Sequence, residues 1–311
     1  MMNVHDFLRS QGDDFKKLSF KDILFVHYRC PQEERYTALY THLNYFLYVI
    51  DGKKIFHHGD YFYPLNTGAC AFIRKGGFHQ ERFFDKDWQL MAFFVPDHYL
   101  RSIVAEYRSS AGARPPGLPA GDPGRSPAVA AGDPGRFPAA DEPVITLHVT
   151  ELGHDFFHSM IPYFLQPTGV PEPLVEMKVR EMMFLLLSDP ENQPLLSCLS
   201  RIDDKQTSLR ELMEANFRFN LSLEEFARIA NRSLSAFKRD FLALYGMPPG
   251  KWLLNRRLDH AEGLMLRSDK PVAEVADESG FESQTHFNRV FKDRFGMAPL
   301  QYRGGKIEPE R

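Results

Sequence analysis

Residues 237–252 read FKRDFLALYGMPPGKW and residues 287–302 read FNRVFKDRFGMAPLQY, so one pattern occurs twice at an interval of 50 residues. Phenylalanines, a Gly-Met pair and a proline recur at matching positions, and an aromatic residue closes each copy. Apolar and glycine positions that recur together predict one fold formed twice. Polar positions that keep the same spacing on the opposite face indicate one task performed twice.

The first copy belongs to a pair of short helices joined by a sharp turn. Ser222 and Glu225 form a capping box that starts the first helix. Asn231 follows an apolar stripe and tolerates the left-handed backbone that a sharp turn needs. The second helix begins near Ser233, and its predicted core positions are Leu234, Phe237, Phe241 and Leu244. At about 100° per residue, the side chains that point the other way are Ser235, Lys238, Arg239 and Leu242.

The second copy has the same organisation. Residues 269–271 open its first helix and Gly280 makes its turn, with one more residue before the second helix than in the first copy. The predicted core positions of that helix are Phe287, Val290 and Phe291. Its outward residues are Gln284, Thr285, Asn288 and Arg289. Two short helices joined by a small-residue turn form a helix-turn-helix, whose second helix fits the major groove of DNA.

The outward residues of both second helices have the chemistry of base readout. Arginine can donate two hydrogen bonds to guanine, and glutamine or asparagine can pair with adenine. We predict base contacts from Ser235, Lys238, Arg239, Gln284, Thr285, Asn288 and Arg289. We predict phosphate contacts from Arg256, Arg257, His286, Lys292, Arg294 and Arg303. The alternative for each charged residue is an ordinary solvated surface position or a helix ion pair.

A further helix is predicted between the two units, over residues 251–267. Its apolar face carries Leu254, Leu258, Ala261 and Met265. A rigid helix here would fix the distance between the two second helices, so their DNA targets should lie about 34 Å apart, one turn of the duplex. Residues 215–303 contain 14 Lys and Arg against 11 Asp and Glu. This small positive surplus is weak evidence for a nucleic-acid partner. The positions of the basic residues on the two second helices are the stronger evidence.

The N-terminal half has a different pattern. Residues 20–95 contain many short aromatic and β-branched runs with close turns, which predict a β-sandwich or small barrel. Asp51-Gly52 between two such runs predicts a β-hairpin. Residues 109–143 are rich in Pro, Gly, Ala and Ser, and we predict a disordered insertion. Residues 151–200 are helical in pattern, and the apolar helix Glu172–Ser188 must be covered by its own barrel or partly by a second copy of the chain.

The bulk composition sets further bounds. With 311 residues the chain can form two domains, and no apolar run approaches the roughly 20 residues of a membrane span. Three widely spaced cysteines and the lack of a signal peptide favour a cytoplasmic protein with reduced thiols. The histidines, including His42, His57, His58 and His79, show no metal-ligand spacing. We therefore predict no metal, no cofactor and no catalytic residues.

Residues 221–303 resemble the DNA-binding domain of AraC/XylS-type bacterial transcription regulators. The motifs that carry the resemblance are RLDHAE at 257–262, AEVA at 273–276, GFESQ at 280–284, FNRVFK at 287–292 and FGMAP at 295–299. The resemblance implies a seven-helix domain that binds double-stranded DNA at two places and contacts RNA polymerase at promoters. The base-reading positions of the family fall on the seven residues named above. Asn231 stands where the family often has glycine.

The N-terminal half is similar to the cupin-like sensing and dimerisation domains that often precede this module. Its helices, especially residues 178–187, are also similar to a subgroup that controls type III secretion and responds to a protein effector. The resemblance implies a homodimer with a small-molecule or protein effector.

The sequence thus predicts an α+β chain in four parts. Residues 1–200 form a cupin-like β-barrel or sandwich with dimerisation helices, 201–215 a linker, 216–303 an all-α double helix-turn-helix domain, and 304–311 a tail. We interpret the chain as a transcription regulator and favour an activator. The alternatives are a cupin-type enzyme or an alkylation-repair protein that carries a DNA-binding module. A repair enzyme needs a reactive cysteine, and the three cysteines here are isolated.

Overall fold

The computed structural model describes residues 1–12, 15–29, 35–82, 88–111, 140–166, 169–202 and 205–305. The chain divides into two compact units, one of residues 2–208 and one from Leu209 onward. The boundary falls within the predicted linker 201–215. The helix Lys205–Asn216 occupies much of this segment and buries Leu209, Leu212 and Met213. No helix among the described residues is long and apolar enough to cross a membrane.

The N-terminal unit is built on two β-sheets. Its described strands are β1 (Met2–Asn3), β2 (Lys16–Phe20), β3 (Ile23–Arg29), β4 (Tyr36–Thr41), β5 (Asn44–Asp51), β6 (Lys53–His58), β7 (Tyr61–Asn66), β8 (Cys70–Ile73), β9 (Gly76–Arg82), β10 (Gln89–Val95) and β11 (Val144–Leu147). One sheet has the order β1-β4-β9-β6-β7, and the other has the order β11-β8-β5-β10-β3-β2. All pairings are antiparallel except that of β1 with β4.

The six-stranded sheet is buried on both faces, and β5 shows why. Tyr45 and Leu47 point into a core shared with Phe56 and Phe78 of the other sheet. Because side chains alternate along a strand, Phe46 and its alternate neighbours enter a second core, which the helices cover. A strand buried on both faces reads as a continuous apolar run.

The predicted hairpin at Asp51-Gly52 is wrong. β5 already has β8 and β10 as its two neighbours, so the chain crosses at this turn into the other sheet, where β6 pairs with β7 and β9. Gly52 has a φ of +97°, and a Cβ built there would lie 2.4 Å from Trp88 Cβ. The glycine is therefore required by close approach of another strand as well as by the turn.

The helices of this unit are α1 (Val4–Ser10), α2 (Asp97–Ala111), α3 (Glu151–Phe164), α4 (Glu172–Ser188) and α5 (Gln193–Ser200), with a short 3₁₀ helix at Pro190–Asn192. The predicted helix Glu172–Ser188 is confirmed, and it buries six apolar side chains, including Val179 and Met183, in the core of its own unit. Met177 on its other side is 64% exposed. Most of the predicted insertion 109–143 lies outside the described residues, so its disorder stays a prediction.

The C-terminal unit is helical throughout the described range. Its helices are α6 (Lys205–Asn216), α7 (Leu223–Ile229), α8 (Leu234–Tyr245), α9 (Pro249–Arg267), α10 (Val272–Glu278), α11 (Gln284–Phe295) and α12 (Pro299–Gly305). The predicted mixed fold, with β-sheets in the N-terminal half and two helix-turn-helix units in the C-terminal half, is confirmed. A cupin-like ancestry of the sheets stays a prediction.

The sequence repeat corresponds to a repeated aromatic cluster. In the first unit Phe241 packs on Tyr245 with ring centroids 4.5 Å apart, and both rings contact Trp252. In the second unit Phe291 and Phe295 are again 4.5 Å apart, and both contact Tyr302. Each cluster fastens the end of a second helix to the start of the next helix, which fixes the orientation of that second helix.

Candidate nucleic-acid interface

The first helix-turn-helix, α7 and α8, begins at the predicted capping box. Glu225 N donates to Ser222 Oγ at 3.2 Å, and Ser222 N donates to Glu225 Oε2 at 2.7 Å. Asn231 has a φ of +54°, so the left-handed turn predicted at this residue is present. Ser233 then caps α8 by accepting from Ala236 N at 3.2 Å. Two helix caps and one left-handed residue thus specify where each helix starts and how the chain turns between them.

Helix α8 has one buried face and one exposed face. Phe237 and Phe241 are fully buried. The predicted base-reading residues Ser235, Lys238 and Arg239 are all exposed. Arg239 lies 3.2 Å from Asp240, which also pairs with a second arginine, Arg232. The exposed face therefore carries one lysine and one arginine, and that arginine has a carboxylate beside it.

The second helix-turn-helix, α10 and α11, repeats this arrangement. Gly280 makes the turn with a φ of +82°, and Ser283 caps α11 through His286 N at 3.4 Å. Phe287 and Phe291 are fully buried. The residues exposed early in α11 are Gln284, Thr285, His286 and Arg289. Four polar side chains therefore project from the first turns of a helix whose opposite face is anchored in the core.

Asn288 differs from the other predicted base readers. It is half-buried, and its Oδ1 is buried with no hydrogen-bond partner among the described residues. An unsatisfied buried oxygen is unfavourable. Pairing with adenine requires both amide atoms to face outward, so Asn288 has to rotate before it can make that contact.

Two of the residues predicted to contact phosphate are hydrogen-bonded to other parts of the C-terminal unit. Arg257 Nε and Nη2 donate to the carbonyls of Phe217 and Phe219, each at 2.7 Å. Burial lowers the pKa of Arg257 to about 10. Arg303 is half-buried and donates to the carbonyl of Lys270 at 2.7 Å. These guanidinium groups bind backbone carbonyls, so neither is free to contact a phosphate without breaking those bonds.

The other four candidates remain at the surface. Lys292 and His286 are exposed. Arg294 donates to Asn255 at 2.8 Å and pairs with Asp259. Arg256 pairs with Glu214 at 2.9 Å and keeps 42% of its side chain exposed. Exposed pairs of this kind contribute little to stability, so both arginines could exchange a carboxylate for a phosphate at small cost.

Helix α9 connects the two helix-turn-helix units. It has 19 residues and is therefore about 28 Å long at 1.5 Å per residue. Trp252 near its start joins the first aromatic cluster, while Leu258, Ala261 and Met265 lie in the core of the second unit. A helix anchored in both units is suited to hold them at a fixed distance.

In the N-terminal unit, one group of possible metal ligands was not predicted. His5, Asp6 and His42 place ligand atoms within 4.8 Å of one another, the one such group among the described residues. Hydrogen bonds already connect them to the start of α1. Asn3 Nδ2 lies 3.1 Å from His42 Nδ1, while Asn3 Oδ1 accepts from Asp6 N at 3.1 Å. Because the Asn3 amide is oriented in this way, its nitrogen donates a hydrogen bond to His42. These contacts favour a structural role, in which the group holds α1 in place, and disfavour a metal site.

The same unit has an open cleft of about 540 Å³ at the end of α4. It is lined by His148, Thr150, Glu181, Phe184, Leu185, Ser188, Asp189 and Pro190. His148 lies 2.6 Å from Asp189, and the hydrogen bond with Asp189 raises the pKa of His148. A volume in this range is typical of small-ligand sites.

The comparisons with known proteins match both units. Residues 226–305 match a helix-turn-helix domain family, and residues 44–118 and 130–198 match the ExsA N-terminal regulatory domain. The virulence regulon transcriptional activator VirF of Yersinia enterocolitica is 24% identical over 263 residues, which are 84% of this chain and 89% of VirF. The HTH-type transcriptional regulator ExsA of Pseudomonas aeruginosa is 32% identical over 139 residues, which are 44% of this chain and 50% of ExsA.

Among solved structures, the DNA-binding domain of AdpA in complex with a target DNA is 29% identical. The match covers 32% of this chain and 91% of that domain, with a TM-score of 0.31. The two matched domains, VirF and ExsA agree with the motifs in both halves of the sequence. The chain is similar to transcription regulators of the AraC/XylS type, with an ExsA-type regulatory domain ahead of a helix-turn-helix domain.

Proposed function

We propose that this chain activates transcription by reading two consecutive major-groove segments of DNA, one with α8 and one with α11. The observation that carries the proposal is the repetition of one surface. In both helix-turn-helix units the second helix is fixed by two fully buried phenylalanines and carries exposed polar side chains in its first turns. VirF of Yersinia enterocolitica, which is similar over most of this chain, is named as a transcriptional activator, and this supports an activator over a repressor.

We assign base contacts to Ser235, Lys238, Arg239, Gln284, Thr285, Asn288 and Arg289. Arg289 and Arg239 suit guanine, and Gln284 suits adenine, because each can form two parallel hydrogen bonds to those bases. Thr285 and Ser235 can bond several bases and add a smaller preference. Two helices that read together give a longer recognised sequence than either helix alone.

We assign phosphate contacts to Arg256, His286, Lys292 and Arg294. Arg256 lies on α9, and the other three lie on α11 with the second set of proposed base readers. Contacts of this kind fix the register of the protein on the duplex and make affinity depend on salt. They carry no sequence information by themselves, so their loss should weaken binding to all DNA alike.

The remaining partners are part of the same proposal. An activator acts through RNA polymerase at a promoter, in the cytoplasm where bacterial DNA lies. A second copy of the chain is proposed to pair through the N-terminal unit. The cleft beside His148 and Asp189 is a candidate place for a small-molecule effector, and a protein effector is the alternative. We propose no enzymatic activity.

The proposal is tested by mapping DNA bound to the full chain across the genome of its host. We expect discrete bound sites at promoters that share a two-part sequence. A variant that combines Gln284→Ala with Arg289→Ala should lose these sites. Arg267→Gln should keep them, because Arg267 is exposed at the last turn of α9 and is not among the proposed contacts. Binding spread evenly over the genome, or equal loss in both variants, would contradict sequence-specific reading.

A further inference from the structure

The guanidinium of Arg257 points into the C-terminal unit and holds a segment that precedes the first helix-turn-helix. Its two donors bind the carbonyls of Phe217 and Phe219, each at 2.7 Å. These are short, charge-assisted hydrogen bonds, and the two carbonyls lie two residues apart in one segment. We call residues 217–220 the brace. They connect α6 to Ser222, the residue that caps α7.

The brace also touches the turn of the second helix-turn-helix. A Cβ built on Gly280 would lie 2.7 Å from the carbonyl oxygen of Arg218 and 3.0 Å from Arg257 Nε. His260 Nδ1 of α9 lies 3.2 Å from Oγ of Ser279, which is fully buried. The Phe217 ring meets the His260 ring edge-on at 5.7 Å. The brace ahead of the first helix-turn-helix, the connecting helix α9 and the turn of the second helix-turn-helix therefore contact one another at one place.

We propose that Arg257 is a positioning residue for two-segment DNA reading, because it fixes the brace between the two helix-turn-helix units and so sets the separation of α8 and α11. The inference rests on the proposed function, since separation matters only if both helices read the same DNA. It also explains why Arg257, which the sequence predicts to contact phosphate, is half-buried and bonded to two backbone carbonyls.

The physical reason for the effect is geometric. Successive base pairs are about 3.4 Å apart along the duplex, so an error of a few ångströms between two readers moves one of them to the wrong base. Once the first helix is bound, the second binds as if it were at a high local concentration, provided that the spacing is correct. Loosening the connection lowers this concentration and leaves the affinity of each single helix for its own segment unchanged.

The test uses the full chain and the DNA site that the wild-type protein selects from a random-sequence library. Further probes carry the two segments moved apart or together by one or two base pairs, and others keep only one segment. The variants are Arg257→Gln and, as the matched control, Arg267→Gln. The control removes the same charge from an exposed position on the same helix.

We expect Arg257→Gln to lose about tenfold in affinity at the selected spacing and to respond weakly to changes in spacing. Its affinity for single-segment probes at low salt should match that of the wild-type protein. Arg267→Gln should keep the sharp spacing optimum. The inference is overturned if Arg257→Gln keeps that optimum, or if its loss is equal on single-segment and two-segment DNA. Failure of the wild-type protein to select any two-part site would instead refute the proposed function.

A second pair of variants perturbs the same contact at Gly280. It keeps the inference testable if Arg257→Gln does not fold. Gly280→Ala would push a methyl group against the brace, whereas Gly296→Ala has a similar positive φ of +79° and no atom within 4 Å. Both substitutions carry the same backbone strain. Gly280→Ala should broaden the spacing preference, and Gly296→Ala should not. Equal behaviour of the two variants would overturn the role of the brace.

Discussion

Arg289→Ala should weaken binding to the selected DNA by about 1–3 kcal/mol, or roughly 5- to 150-fold, and leave the stability of the protein unchanged. Arg289 is exposed on the outward face of α11. Within the described residues its guanidinium forms no hydrogen bond or ion pair, so its removal breaks nothing inside the chain. The free energy of unfolding should therefore change by less than about 0.5 kcal/mol.

Arg239 on α8 provides an internal comparison. Its guanidinium lies 3.2 Å from Asp240, and 77% of its side chain is exposed. An exposed pair of this kind contributes about 0.2–1 kcal/mol, and Arg239 must give it up to bind a base. The loss from Arg239→Ala should therefore be smaller than the loss from Arg289→Ala by up to that amount.

The assay is equilibrium binding by fluorescence anisotropy at one fixed salt concentration, with selected DNA and with a scrambled duplex of equal length. Thermal melting of each variant gives the stability. We predict a loss of affinity on selected DNA only, with relaxed preference at one base position. An equal loss on scrambled DNA would show that Arg289 contacts phosphate. A lower melting temperature would show that Arg289 makes a contact that stabilises the folded protein.

Other positions give predictions of different kinds. Lys292→Ala should weaken binding to every sequence alike and reduce the slope of log K against log salt by about 0.9, measured by titration at several salt concentrations. Gly52→Ala, whose Cβ would lie 2.4 Å from a tryptophan Cβ, should destabilise the N-terminal unit by at least about 2 kcal/mol in denaturant unfolding. Gly169→Ala, which has a positive φ and open space, should cost less. Since its hydrogen bond with Asp189 raises the pKa of His148 above the ordinary 6.5, His148→Gln should lower the melting temperature below about pH 6.5, and the difference should shrink as the pH rises through the raised pKa.

The C-terminal half could be predicted closely from the sequence because its structure is specified locally. The capping box at Ser222, the left-handed residues Asn231 and Gly280, and the paired phenylalanines each determine structure within a few residues. The repeat then supplied a second, independent reading of the same pattern. In each of these features, the residues that contact one another are also close together in the sequence.

Long-range contacts set the limit of prediction. The turn at Asp51-Gly52 has the local chemistry of a hairpin, but its strands join different sheets because β8 and β10 already flank β5. Arg257 follows Asn255 and Arg256 in the sequence and is typical there of a surface residue. Its partners, the carbonyls of residues 217 and 219, are 38 to 40 positions away. No pattern within one helix could identify either arrangement.

The most direct test of two-segment reading is hydroxyl-radical footprinting of the purified full chain on its selected DNA. We predict two protected segments on one face of the duplex, with centres about 10 base pairs apart. Arg239→Ala should weaken protection of one segment, and Arg289→Ala should weaken the other. A single protected segment, or the same footprint change in both variants, would contradict the assignment of one reading helix to each segment.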